Sequence, residues 1–210
     1  PYQGEVKPEA VGYVAKLMKD IGVEHIGVAD TIGTGTPRAS QAAMEAALAH
    51  YPIEQVSGHF HDTDGQATAS VYACPEMGIR TFVSEPDARL LDPLEPLARE
   101  YRVRIAIHNH PKNPKKDDYA YWKPENVMKL LDGRSRLIGA CADTGHWVRS
   151  GLDPVECLKV YQGRLMCLHL KDVHEKGPAG HDVPYGTGVS NVKAQLEELA
   201  RQNFAGVIAI

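Results

Sequence analysis

Short apolar runs alternate with longer amphipathic stretches along the 210-residue chain. Residues 8–21 (PEAVGYVAKLMKDI) place Val11, Val14, Ala15, Leu17 and Met18 at roughly helical spacing, so the pattern predicts a helix. Pro8 suits its first turn and Gly22 its end. Residues 25–29 (HIGVA) read as a first strand, followed by Asp30 and the loop TIGTGTP. Thr36-Pro37 opens a helix to about His50. Residues 56–60 (VSGHF) read as a second strand ending in His61 and Asp62. A helix over about 65–77 follows, its last turn cut by Pro75, and then a third strand over 79–83 ending in Ser84, Glu85 and Pro86.

The second half repeats the rhythm. Residues 91–101 read as a helix whose start is confined by Pro93 and Pro96. Strand four is 104–107 (RIAI), closing on His108, Asn109 and His110. Residues 111–122 form a polar loop with prolines, of the kind that serves as a lid or binding loop. A helix over 124–131 precedes strand five, 137–142 (LIGACA), which stops at Asp143, Thr144, Gly145 and His146. A helix over 154–162 precedes strand six, 165–168 (LMCL), which stops at His169, Leu170, Lys171 and Asp172. An irregular loop over 174–188, a helix over 189–202 and a last strand over 206–210 complete the chain.

Uncharged runs bounded by polar residues suit strands buried on both faces, and helix–strand alternation argues for a parallel α/β sheet. The expected fold is therefore one TIM-barrel-like (β/α) domain over residues 1–210, its chemistry at the C-terminal strand ends. About seven strands are clear where a closed barrel needs eight; residues 182–185 (DVPY) are the candidate for the eighth, although Pro184 disfavours it. With only seven, an unpaired edge would invite homo-oligomerisation.

Composition narrows the partners. A formal net charge of −4 offers no electrostatic reason to expect nucleic acid or an anionic membrane. No run is long and apolar enough to span a bilayer, and no signal-peptide pattern opens the chain. Cys74, Cys141, Cys157 and Cys167 form no CxxC pair and read as reduced packing residues of a cytoplasmic protein. The ten histidines are the unusual feature, most of them beside strand ends.

Residues two apart on a strand share a face, which pairs His59 with His61 and His108 with His110. Each pair either chelates a metal or lies unmetallated in a wet pocket. His146 has three possible roles, as ligand, substrate contact or support for a ligand. Glu85 is a candidate ligand or base and otherwise a solvated loop charge; Lys171 is a candidate counter-charge for an enolate oxygen and otherwise a salt-bridge partner. Asp30 reads best as the cap of its own loop. Trp122 and Trp147 wall a sugar-sized pocket or pack. Covalent hydrolase chemistry has no support, since there is no Gly-x-Ser-x-Gly elbow and no strand-end cysteine.

Two resemblances sharpen these expectations. Through PYQGEV, ADTIGTGTP at 29–37 and GHFHDTDGQA at 58–67, residues 1 to about 78 resemble the hydroxymethylglutaryl-CoA lyases, metal-dependent barrel enzymes. The resemblance implies His59 and His61 as metal ligands and Asp30 as an active-site residue. The lyase Arg-Asp motif, reactive-cysteine loop and later Asn ligand have no counterpart, and Asp64 stands where an aromatic is usual. From about residue 79 the chain resembles the sugar phosphate isomerase/epimerases of the xylose-isomerase-like barrel type. The motifs are TFVSEP, IAIHNHP, GACADTGHWVRSGLDPVE, GRLMCLHLKDV and HDVPYGTG.

That second resemblance implies a divalent metal (Mn, Zn, Co or Mg) on Asp143 and His169, with His108 at the position of a ligating Glu. A final ligating Glu would follow GVIAI. The expected whole is a recombined or designed hybrid joined near residues 77–83. Its two functional readings are a scaffold without evolved activity and a metal-dependent isomerase or epimerase of a small sugar or polyol. In the second, His108, Asp143 and His169 hold the metal, Glu85 shuttles a proton and Lys171 offsets charge. Acyl-CoA cleavage is a third, weaker reading.

Overall fold

The computed structural model describes residues 6–60, 80–115 and 119–209, so the expected helix over 65–77, together with His61 and Cys74, lies outside the described residues. The chain forms two compact units, the first from Pro1–Ser84 and Pro96–Ile105, the second from Glu85–Glu95 and Ala106–Ile210.

In the first unit, α1 (Pro8–Asp20) starts on a proline at its first position, and α2 (Pro37–Leu48) is capped by Thr36, whose hydroxyl accepts from Ala39 N. Strands β1 (Ile26–Asp30), β2 (Val56–Phe60) and β3 (Thr81–Ser84) are parallel neighbours, with Ile26 opposite Val56 and Gly58 opposite Phe82. Met44, Ala47, Val56, Phe60 and Phe82 are buried there. Helix α1 does not bury the larger apolar residues of its period. Gly12 and Ala15 are buried, whereas Val14, Leu17 and Met18 are 48, 43 and 38% exposed. The reason is close helix packing: a Cβ at Gly12 would lie 3.4 Å from the Ala46 carbonyl, so small residues make the contact and the larger ones turn outward.

The chain passes between the units within α3 (Leu91–Glu100) and within β4 (Arg104–His108). In the second unit β5 (Ile138–Asp143) pairs in parallel with β6 (Leu165–His169), and β6 with β7 (Val207–Ala209). All six residues of β5 are buried, as an uncharged run covered on both faces requires. Helices α4 (Pro124–Leu131), α5 (Thr144–Arg149), α6 (Pro154–Val160) and α7 (Val192–Arg201) accompany these strands. The core gathers Leu91, Val127, Leu131, Trp147, Tyr161 and Leu168. Trp147 is fully buried edge-to-face on Tyr161 at 5.2 Å, so of its two readings packing is the one the structure realises.

Seven strands are described, ordered as they occur in the chain, and every pair whose register is described is parallel. This is the TIM-barrel-like α/β fold that the alternation predicts. The candidate eighth strand at 182–185 does not form; the segment makes one isolated antiparallel bridge, Val173 with Asp182. Asp172 draws this loop elsewhere, because its buried carboxylate accepts from Gly186 N, Gly188 N and Ser190 N. Cys141, Cys157 and Cys167 are free, buried thiols, as packing residues should be. No described helix is long and apolar enough to cross a membrane.

Candidate metal centre

Each of three strands in the second unit ends on a metal-ligating residue type: β4 on His108, β5 on Asp143 and β6 on His169. Two fully buried polar side chains stitch these ends together. Asn109 donates from Nδ2 to the Asp143 carbonyl (3.0 Å) and accepts from Asp143 N (2.8 Å), tying β4 to β5. Thr144 Oγ1 accepts from Lys171 N (3.0 Å), tying the end of β5 to that of β6. Neither role was visible in the sequence, where both residues read as strand-end polar groups.

Asp143 does two things at once. Its Oδ1 accepts from His146 N at 3.0 Å and caps α5. That short helix was not expected; the Asp three residues before His146 was the available signal. The cap leaves Oδ2 facing three imidazoles: His146 Nε2 at 3.7 Å, His169 Nδ1 at 3.8 Å and His108 Nε2 at 3.9 Å. His108 Nε2 is in turn 3.2 Å from His169 Nδ1. The ligand atoms of His108, Asp143 and His146 all lie within 4.8 Å of one another, as do those of His108, His169 and the buried Cys141.

These separations fit a bound cation. Donors held tetrahedrally at about 2.1 Å from a zinc-type ion stand about 3.4 Å apart. Carboxylate oxygen and neutral imidazole nitrogen are lone-pair acceptors, so a convergent set of them needs a proton or a cation at its centre. The electrostatics agree. Burial alone would raise the Asp143 carboxyl, but the neighbouring His169, His146 and His108 imidazoles outweigh it, for a net lowered pKa. Burial pushes His146 down, against Asp143, towards the neutral ligating form. Burial raises the Cys141 thiol, keeping it protonated beneath the other donors.

Glu85 is placed differently from a ligand. Its Oε2 lies 2.9 Å from His110 Nδ1, and it also engages the hydroxyl of Tyr119, which itself accepts from His110 N at 2.8 Å. His110 stands beside the metal group, its ring 4.8 Å from that of His108 and stacked on that of His146 at 5.3 Å. The Glu85 hydrogen bond raises the His110 pKa against the opposing effect of burial. His110 should therefore hold its proton above the pH of about 6.5 at which free imidazole loses it. The pair then contributes stability that is complete below about pH 6.5 and is lost as pH rises through the folded-state value. NMR titration of the imidazole resonances checks this: Glu85→Gln should return His110 towards about 6.5, and an unchanged curve would remove the pairing.

Lys171 has its stem against Gly145, where an added Cβ would come within 2.8 Å of Lys171 Cβ. Among the described residues its ammonium has no carboxylate partner, so the rim salt bridge is not formed. In the first unit His59 is half-buried on β2, opposite Ala29 and Val83, while its expected partner His61 is outside the described residues. Asp30 caps its own loop, accepting from Gly33 N at 3.0 Å and Gly35 N at 2.8 Å; Gly33 has φ +68°, a conformation glycine adopts without strain.

A cavity of about 1300 Å³ adjoins the metal group in the second unit, lined by Glu85, Asp87, His110, Lys112, Tyr121 and Lys129 among others. Burial raises the Tyr121 hydroxyl to about 12, and it donates to the Pro86 carbonyl at 2.6 Å.

Comparison with known proteins divides the chain as its motifs do. A family described as xylose isomerase-like TIM barrel matches residues 75–210, and the HMGL-like family matches residues 1–84. The two matches meet at 75–84, around the expected junction, so the architecture is chimeric. A curated 3-hydroxy-3-isohexenylglutaryl-CoA/hydroxy-methylglutaryl-CoA lyase of Pseudomonas aeruginosa is 43% identical over 84 residues, 40% of this chain. The chain spans only 28% of that relative's length. Among solved structures, a D-tagatose 3-epimerase-like protein superposes with a TM-score of 0.63 at 18% identity, covering 97% of this chain and 76% of the other. An L-ribulose 3-epimerase superposes with a TM-score of 0.68 at 12% identity, covering 98% and 76%. At these identities the superpositions establish the fold.

Proposed function

The chain belongs to the xylose isomerase-like TIM-barrel family through residues 75–210, and from that premise we propose that its second unit is a divalent-metal centre acting on a small hydroxy-carbonyl compound of the sugar or polyol class. The observation that carries the reading is the convergence of His108 Nε2, His169 Nδ1, His146 Nε2 and Asp143 Oδ2, with neighbouring separations of 3.2 to 3.9 Å. When bound there, the metal would polarise a carbonyl and make an adjacent hydroxyl more acidic. His108, Asp143 and His169 are its expected holders, joined by His146, which the sequence left open.

The remaining residues serve proton and charge. Glu85 and His110 share a proton between Oε2 and Nδ1 at the edge of the cavity, which suits a group that takes a proton from carbon and returns it. The Lys171 ammonium, without a carboxylate partner among the described residues, is available to a developing enolate oxygen. Asn109 and Thr144 keep the three strand ends in register and so position the ligands.

Three imidazoles and one carboxylate form a softer set than the oxygen-rich sites that hold magnesium. Zinc or cobalt should therefore outcompete manganese and magnesium. Equilibrium dialysis with metal analysis checks the order, and Co(II) should give visible absorption of a four-coordinate N/O site. The reaction class is tested by incubating metal-loaded protein with ketoses and aldoses in D₂O and following deuterium at the carbon beside the carbonyl. Glu85→Gln should slow exchange by about 100-fold or more. Failure to bind metal stoichiometrically would leave the scaffold reading in its place.

A further inference from the structure

We propose that Cys141, together with His108 and His169, forms a second metal position beneath the strand-end centre, and that this position takes a thiophilic monovalent ion, copper(I). It shares two imidazoles with the centre proposed above but uses neither Asp143 nor His146. It therefore does not depend on the reaction proposed there.

The strands build this position as a layer of its own. Side chains two apart on a strand share a face, which sets Cys141 beneath Asp143 on β5 and Cys167 beneath His169 on β6. The residues between them, Ala140, Ala142 and Leu168, belong to the core on the opposite face. A bulge brings the layers into line. Ala140 stands opposite Leu165, yet Cys141 stands opposite Cys167, so Met166 is an extra residue on β6. Without it Cys141 would face Met166, and Asp143 would face Leu168. Gly139 makes room for the irregularity, since a Cβ there would come within 2.7 Å of Met166 Cε and 2.6 Å of the Arg164 carbonyl. One bulge thus sets both rows, Asp143 with His169 and Cys141 with Cys167.

The donors of the lower row converge. Ligand atoms of His108, Cys141 and His169 lie within 4.8 Å of one another, and His108 Nε2 stands 3.2 Å from His169 Nδ1. The Cys141 thiol is also hydrogen-bonded to that of Cys167, so a second sulfur borders the position. Sulfur with imidazole nitrogen selects copper(I), whereas the carboxylate above suits harder ions. The buried Cys141 thiol keeps its proton until such an ion displaces it. The sulfur–copper bond then forms, the proton passes to solvent, and neither copper nor sulfur changes oxidation state. Copper bound there occupies His108 and His169, so it excludes the strand-end ion and silences that centre.

The test is anaerobic titration of the full chain with copper(I) delivered from a chromogenic chelator. One equivalent should bind, and in zinc-loaded protein each copper should release one zinc. Copper K-edge X-ray absorption should show sulfur beside nitrogen around the ion. Cys141→Ser should weaken copper binding by more than the roughly 10–100-fold that loss of a supporting contact costs, and leave zinc binding unchanged. Cys74→Ser and Cys157→Ser should alter neither. Asp143→Ala should lose zinc and keep copper, which separates the two positions. Copper binding without any zinc binding would support this proposal and remove the function proposed above. Nitrogen and oxygen alone around copper in the unaltered protein would overturn it, whether or not the Cys141 variant folds. So would copper binding that survives Cys141→Ser, that is lost with Cys74 or Cys157, or that Asp143→Ala abolishes together with zinc.

Discussion

Asp143→Ala should weaken zinc binding by at least about 100-fold and remove the thermal stabilisation that zinc confers on the unaltered protein. The carboxylate is the one donor facing all three imidazoles, through Oδ2 at 3.7 to 3.9 Å. Its loss takes away the carboxylate charge against the cation and, through Oδ1, the cap that aims His146. For the unaltered protein at a free zinc concentration 100 times Kd, binding to the folded state alone adds about 2.7 kcal/mol. In a chain of this length that raises Tm by roughly 5–10 °C. Asp143→Asn keeps the shape and one capping oxygen, so it should melt like the parent without metal yet show little of the zinc shift. A full zinc-dependent shift in Asp143→Ala would remove this residue from the centre. The imidazoles must be neutral to ligate, so zinc affinity should also fall as pH drops and protons compete for them.

Asp172→Ala should destabilise the fold by about 3–5 kcal/mol, the largest stability effect expected among these substitutions. The side chain is 2% exposed and accepts from three backbone donors, Gly186 N and Gly188 N at 2.9 Å and Ser190 N at 3.1 Å. Truncation leaves those N–H groups facing a void, each costing about 1–3 kcal/mol if buried without a partner. Gly188 belongs to the same device, since an added Cβ would collide with the Asp172 carboxylate and the Val173 carbonyl. Burial raises the Asp172 carboxyl, but the three N–H groups together outweigh it, for a net lowered pKa. Its contribution is therefore present above the unfolded value of about 3.9 and is lost as pH falls through the folded value. Urea denaturation at neutral pH checks the magnitude. A loss under about 1 kcal/mol would mean that the loop after β6 is held by other contacts.

The element plan was largely legible because the signals are local. The second strand is found at Val56–Phe60 and the helices at Pro8–Asp20, Pro37–Leu48 and Pro124–Leu131, close to their expected bounds. A proline at the first helical position and a period of apolar residues act within a turn or two of chain, so no distant contact is needed to read them. The failures are instructive for the same reason. In α1 the apolar period predicts the helix, but its buried face is decided by the close approach of α2 at Gly12. Residues 182–185 are the candidate eighth strand that Pro184 disfavours, and the chain just beyond them is held at Gly186, Gly188 and Ser190 by the buried carboxylate of Asp172.

For the site, the sequence by itself determined which residue types stand at the ends of which strands. His108, Asp143 and His169 follow short, mostly apolar runs, and parallel strands in a β/α fold deliver such residues to one end. It also determined, through its two sets of motifs, that the chain joins two barrel families near residue 80. Which side chain faces which follows from the packing of the strands. It turned one oxygen of Asp143 to cap α5 and the other to the imidazoles, brought His146 into the group, and gave Glu85 to His110 and Tyr119. These contacts join positions up to 61 residues apart along the chain, as between His108 and His169. Local propensity reaches about four residues. Beyond that distance the partner of a side chain is set by how strands pair and which polar groups burial forces to find one another.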